Sequence, residues 1–183
     1  MRKTIIVFVL FFVVGLLVAC KANEKWEVVQ TIDYTEIATW EPMETPVEDS
    51  GNGSVVETNE TDGYVTIQAA ADGWGGVQSG SITLDLSKNP LIMVRVYENP
   101  DGSKWGLKFL PDNPLEGHEW GFYLIEDNNF KWNKYGVVDV RDMLGETIIE
   151  AYGEKITGKL WLMAAGGPEA IVSISEIKIV NTK

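Results

Sequence analysis

The sequence predicts an all-β chain, a two-sheet β-sandwich with jelly-roll topology, and three observations carry that prediction. From Trp26 onward, short runs alternate apolar and polar residues, with almost no sustained helical period. Between the runs lie turn clusters with specific chemistry: Thr61-Asp62-Gly63, Lys88-Asn89-Pro90, Asn99-Pro100-Asp101-Gly102 and Glu126-Asp127-Asn128-Asn129. Of the 183 residues, those that follow the N-terminal leader make one domain's worth of chain, large enough for a full hydrophobic core.

The N-terminus is a separate element. Arg2 and Lys3 precede an unbroken apolar run from Ile5 to Ala19, short for a bilayer span of about 20 residues and suited to the apolar region of a signal peptide. The run closes on Leu17-Val18-Ala19-Cys20, and Cys20 is the only cysteine in the chain. This ending resembles the bacterial lipobox, in which a lipoprotein signal peptidase cuts before the cysteine and the thiol carries a diacylglycerol. The resemblance implies a lipoprotein signal peptide over 1–19, with Cys20 as mature N-terminus and lipid anchor. Residues 20–25 are then the lipidated N-terminus and tether, and 26–183 the sandwich domain, held at the extracytoplasmic face of the cell membrane. Two or more acyl chains on one residue anchor stably, where one short chain binds only marginally.

With Cys20 used in this way, no thiol remains for a disulfide, a metal thiolate or a nucleophile. The formal charge of −12 becomes more negative when Arg2 and Lys3 are removed. That argues against nucleic acid and against an anionic membrane face as partners, since both are bound through an excess of Lys and Arg.

Strands are expected, in order, at 26–31, 54–59, 63–70, 77–86, 90–98, 103–110, 118–126, 136–140, 147–152, 158–165 and 170–180, with one short helix or turn around Arg141 to Leu144. Residues 40–53, with Pro42, Pro46, Gly51 and Gly53 among acids, are expected as a surface loop, because proline has no place in a central strand. Period-2 alternation sorts the faces. The inward set is Val65, Ile67 and Ala69; Ile82, Leu84 and Leu86; Ile92, Val94 and Val96; Trp105, Leu107 and Phe109; Trp120, Phe122 and Leu124; Leu160, Leu162 and Ala164; Ile177 and Ile179. Agreement among consecutive elements supports the sandwich.

The outward set follows: Tyr64, Thr66 and Gln68; Arg95 and Tyr97; Lys104 and Lys108; Glu119, Tyr123 and Ile125; Trp161 and Met163. Aromatic rings mixed with Arg, Lys, Glu and Gln describe a binding surface better than a solvated one, although a face covered by the 40–53 loop fits the same list. Trp74 and Trp132 are expected in Gly- or Asn-rich loops, where each either meets a ligand or folds back on the sandwich end.

The order "GWGGVQSGSITLDLSKNPLIMVRV" (73–96), "SKWGLKF" (103–109), "YGVVDVRDMLG" (135–145), "KLWLMAAGG" (159–167) and "ISEIKIV" (174–180) resembles the jelly rolls of bacterial carbohydrate-binding modules of the galactose-binding-like group. It spans residues 54–180 and is a resemblance of layout. It implies a non-catalytic fold that binds an oligo- or polysaccharide on a sheet face or at loop tips, often with a structural calcium. Such modules usually ride on a catalytic chain, and here the domain stands alone behind its leader.

The residues independently allow a sugar ligand. A pyranose exposes a flat C–H patch that an aromatic ring buries, and a rim of hydroxyls that side chains such as Arg, Glu and Gln satisfy. The candidate contacts are Gln68, Trp74, Arg95, Tyr97, Lys108, Glu119, Tyr123, Trp132 and Trp161. No catalytic residue is assigned: the lone His118 has no partner motif, and no serine elbow, zinc-protease or phosphate-loop pattern occurs. Calcium is the one ion the sequence admits, through Asp33 with Glu36, through 48–52, or through 127–129. A lipoprotein that docks onto an envelope protein and a small surface glycoside hydrolase remain the other readings.

Overall fold

The computed structural model describes residues 26–45, 50–100, 102–128 and 132–182, and their side chains except at 127, 128 and 132–134. Among them, twelve strands, three short α-helices and one 3-10 turn at Leu86–Lys88 occur. The strands are β1 (Glu27–Asp33), β2 (Glu41–Pro42), β3 (Ser54–Asn59), β4 (Tyr64–Gln68), β5 (Trp74–Gln78), β6 (Ile82–Asp85), β7 (Pro90–Glu98), β8 (Lys104–Pro111), β9 (Phe122–Asn128), β10 (Trp132–Asp139), β11 (Lys155–Ala165) and β12 (Ile171–Asn181). The helices are α1 (Tyr34–Ile37), α2 (Val140–Leu144) and α3 (Glu146–Tyr152).

Two antiparallel sheets form the sandwich, with jelly-roll crossovers between them. The first runs β10-β7-β12-β4-β3 and the second β2-β5-β11-β8-β9. Each is organised around one long strand of eleven residues. β12 carries β7 along one flank and, end to end along the other, β4 against residues 171–174 and β1 against residues 176–181. β11 repeats the plan, with β8 on one flank and β5 and β6 end to end on the other.

The core between the sheets contains the inward set with one exception. Trp105 is buried and its ring lies over Gly136 of β10, where a side chain would collide with it. The exception is Trp120, which packs on the outer face of the second sheet. The chain turns at Gly121, whose φ of 70° is open to glycine and strained for other residues, so the alternation of β9 does not extend back to residue 120. Ile125 is also misplaced by strict alternation. A register shift in the β8–β9 pairing turns both Leu124 and Ile125 inward.

Three elements differ from expectation. The run 77–86 is two strands, because Val77 and the pair Ile82 and Leu84 all face the core although their positions differ in parity, which a single strand cannot satisfy. Trp74 and Trp132 open β5 and β10 and are not in loops. Residues 147–152 form α3, whose Ile149 is buried and whose Ile148 and Tyr152 pack against the core. The Ile148-Ile149 pair suits a strand by propensity, but its side chains meet the core at helical spacing. The expected helix is α2, capped by Asp139, whose Oδ1 accepts from the Arg141 and Asp142 amides at 3.0 and 3.2 Å. A bulge between Val28 and Gln30 interrupts β1.

Two stability measurements check this account. A Cβ added at Gly76 would overlap the Leu162 carbonyl oxygen, so Gly76→Ala is expected to lower the unfolding free energy by about 3 kcal/mol or more in a urea titration. Asp139→Ala, which removes the α2 cap, is expected to cost about 1 kcal/mol.

Candidate functional site

The site is built outward from β8. Since Trp105, Leu107 and Phe109 enter the core, Lys104, Gly106, Lys108 and Leu110 face away from it. Lys108 is paired in register with Trp161 on β11 and Tyr123 on β9. Its ammonium lies 4.4 Å from the Tyr123 ring centroid, 5.6 Å from Trp161 and 5.9 Å from Trp120. The residue is only 5 % exposed, and among the described residues Nζ has no hydrogen-bond or ion-pair partner. Burial holds its pKa below the usual lysine value, with the charge of Glu126 opposing. The π faces replace part of the lost hydration, each desolvated contact contributing up to about 2 kcal/mol.

The segment after α1 covers one side of this cluster. Trp40 enters the main core, and Glu41 and Pro42 pair with β5 as an edge strand, a place proline tolerates. Met43 lies on Trp161 and Met163, with Trp74, Leu110 and Trp120 packed around them. Gln78 holds this cover in place: its Oε1 accepts from the Glu44 amide at 3.1 Å and from Trp161 Nε1 at 3.2 Å. Alternation assigns Trp161 to the outer face correctly, yet the residue is 0 % exposed. Trp161 is therefore packed beneath the covering segment and is not a contact surface, a correction to its expected role, and Met163 is largely covered with it.

Beside the cover lies a small cleft of about 90 Å³. Its floor is Gly106, Met163 and Ala165, and its walls are Trp74 on β5 and Tyr123 and Glu126 on β9. At Gly106 a side chain has little room, since a Cβ there would come within 3.1 Å of the Ile125 carbonyl oxygen and 3.2 Å of Met163 Cε. Tyr123 is 43 % exposed, and its ring takes the Lys108 ammonium on one face. Trp74 is half-buried, its ring 6.2 Å from that of Trp120 and tilted by 52°. Gly51 packs on the Trp74 ring, in a segment fixed by Thr45 donating to the Ser50 carbonyl and by Ser50 donating to Asp72.

The candidate residues divide between the two outer faces. Trp74, Lys108, Tyr123 and the buried Trp161 belong to the second sheet, while Gln68, Arg95 and Tyr97 belong to the first. On the first sheet, Tyr97 stacks on Tyr64 with centroids 4.2 Å apart. Arg95 pairs in register with Tyr135 and Glu176. Tyr135 donates to Glu176 Oε1, which also accepts from Lys178 at 2.9 Å. Glu119 is in neither group; its carboxylate accepts from the Gly117 amide at 3.0 Å within its own turn. The His118 ring lies 4.7 Å from that of Phe122. The Trp132 side chain, Cys20 with its leader, residues 48 and 49, and the side chains at 127–129 lie outside the described part of the chain.

The polar residue that sequence reasoning missed is Glu126, which shares the outer face with Tyr123 only because of the register shift at Leu124 and Ile125. Asp33, considered for calcium, caps α1, accepting from Thr35 and from the Glu36 amide. Among the described residues no three His, Cys, Asp or Glu side chains converge as a metal site.

No protein-family model matches the chain, and no curated protein matches it. Among solved structures, it is similar to the CBM27-1 module of Caldicellulosiruptor saccharolyticus, solved in complex with mannohexaose, with 9% identity and a TM-score of 0.43, over 83% of this chain and 95% of that one. It is also similar to the apo CBM1 of BiXyn10A, with 13% identity and a TM-score of 0.41, over 85% of this chain and 99% of that one. A family 30 carbohydrate-binding module has 13% identity and a TM-score of 0.41, over 85% of this chain and 89% of that one. Likenesses of this degree concern strand layout and carry nothing about a ligand.

Burial pushes Glu176 up, but the hydrogen bonds from Tyr135 and Lys178 and the charges of Lys178 and Arg95 outweigh it and hold its pKa below the usual glutamate value. Its contribution to stability is full at neutral pH and is lost as pH falls through that lowered pKa. Glu176→Gln is therefore expected to flatten this part of the acid limb in a plot of denaturation midpoint against pH.

Proposed function

We propose that this chain is a non-catalytic domain that binds an oligo- or polysaccharide at the cleft on the outer face of the second sheet, and that it is displayed on the extracytoplasmic side of a membrane through a lipid on Cys20. The observation that supports the first part is the cleft itself: two aromatic walls, Trp74 and Tyr123, rise over a glycine floor with the Glu126 carboxylate at the rim. The rings match the C–H face of a pyranose, and a carboxylate accepts from two adjacent hydroxyls. A hydroxyl left unpaired costs about 1–3 kcal/mol, so Glu126 governs which sugar is taken. The membrane part rests on the sequence alone, on an apolar leader that ends at the only cysteine.

Soluble protein starting at residue 21 is expected to give measurable heats by calorimetry with at least one glycan in a broad polysaccharide panel. Tyr123→Ala and Trp74→Ala are each expected to weaken that binding by about tenfold or more. Arg95→Ala, on the opposite outer face, discriminates: loss of binding there instead moves the site to the first sheet. A flat response to the whole panel from folded wild-type protein counts against the reading, and capture of a specific envelope protein in its place favours a docking role. For the anchor, Cys20→Ser is expected to shift the exported chain from the detergent phase to the aqueous phase in Triton X-114 partition, with loss of the acyl mass increment.

A further inference from the structure

We propose that the outer face of the first sheet rests on the surface of the bilayer that holds the Cys20 lipid, so that the cleft on the second sheet opens away from the membrane. This rests on the reading of Cys20 as a lipid anchor and is independent of what the cleft binds.

The registers of the first sheet gather an apolar patch at the corner where the chain enters the fold. Val28 on β1, Val180 on β12 and Leu91 on β7 stand side by side in one row, and in the next row Met93 on β7 stands beside Val137 on β10. All five face away from the core: Ile92, Val138 and Ile179 beside them in the chain point into it, and Val28 follows its partner Val180. Val180 is closed over by its neighbours, and Leu91 and Met93 are half-buried. Val28, Val29 in the bulge, Val137 and Trp26 just before β1 are each more than half exposed. A contiguous apolar patch marks an interaction surface. Its polar neighbours are turned aside: Asp139 at the end of the first row caps α2, and Lys178 in the second reaches Glu176 at 2.9 Å.

The length of chain before β1 identifies the occupant. Five residues, 21–25, separate Cys20 from Trp26, and even fully extended they keep Trp26 within about 20 Å of the anchor. A domain of this size is roughly 40 Å across, so the corner that carries Trp26, Val28 and Val29 is the part nearest the bilayer. Tryptophan is favoured at that interface. The contact is apolar and needs no anionic lipid, in keeping with a net charge of −12. Because the two outer faces of a sandwich point opposite ways, a domain resting on the first sheet presents Trp74 and Tyr123 to the medium.

The test uses the full acylated chain added to preformed phosphatidylcholine vesicles, with a fluorophore on one introduced cysteine, Cys20 having no free thiol once acylated. Val137→Cys reports the contact face. Thr83→Cys reports the opposite one, since Thr83 is exposed and lies between the inward Ile82 and Leu84. Mass spectrometry and thermal unfolding first establish that each chain is acylated and folded. On vesicles, aqueous iodide is expected to quench the Val137 label about threefold less than the Thr83 label, and nitroxide placed just below the lipid headgroups to quench the Val137 label alone. Equal access of iodide to both labels in an acylated, folded chain overturns the docking and leaves the anchor standing. A Val137 label shielded only at high protein density, with no quenching by the lipid nitroxide, also overturns it and makes the patch an interface between two copies. A chain without the acyl mass increment removes the anchor, and the docking falls with it.

Discussion

The sandwich depends on two backbone ladders at the end of the chain. β11 and β12 are each long enough to carry one full-length neighbour on one flank and two short strands end to end on the other. Every other part of the site is placed by that arrangement. Because β5 and β8 take the two sides of β11, Trp74 and Gly106 stand on one face and share a cleft; because β9 follows β8, Tyr123 comes to the far wall. Where β5 runs beside β11, Gly76 lies so close to the Leu162 carbonyl oxygen that no side chain is tolerated. That constraint also opens the surface on which Met43 lies.

The outer face of the second sheet shows that facing away from the core and facing water are separate properties. Alternation fixes the first and a covering segment decides the second. Trp161, Met163 and Lys108 point outward from their strands and are nevertheless buried, because residues 40–45 lie across the sheet and Trp120 folds in from the turn. Burying a lysine there would be costly without compensation. Three π faces at 4.4–5.9 Å and the nearby Glu126 charge are what the site supplies in place of water.

Much of the fold was legible in the sequence because a half-buried sheet writes itself as period 2. The inward residues of β4, β6, β7, β8 and β11 follow from alternation alone. Where the reading failed, a local break in that period was the reason. Gly121 detaches Trp120 from β9, the shift in the β8–β9 pairing turns Ile125 inward, and the parity change from Val77 to Ile82 marks two strands. Ser175 in β12 makes the same kind of break, since Val172 and Ile174 face the core on one parity and Ile177 and Ile179 on the other. These parity changes were present in the sequence and could have been found. The division of the candidate residues between two faces could not, because alternation says which residues of a strand agree and not which sheet the strand joins. α3 was missed because Ile148 and Ile149 favour a strand locally, while the packing of Ile149 and Tyr152 chose a helix.

β1 leaves one side of its ladder unpaired, since its only strand partner among the described residues is β12. It exposes Val28 and Val29 beside Trp26, and an open edge of this composition invites a second chain to add a strand and begin a stack. The bulge between Val28 and Gln30 works against that outcome: it interrupts the even spacing of donors and acceptors that a flat incoming strand would need and increases the local twist. Glu27 and Asp33 at the two ends add like-charge repulsion between copies. A break in regular pairing thus acts as a guard against polymerisation, and restoring regularity there would be a hazard for solubility even if it improved the sheet.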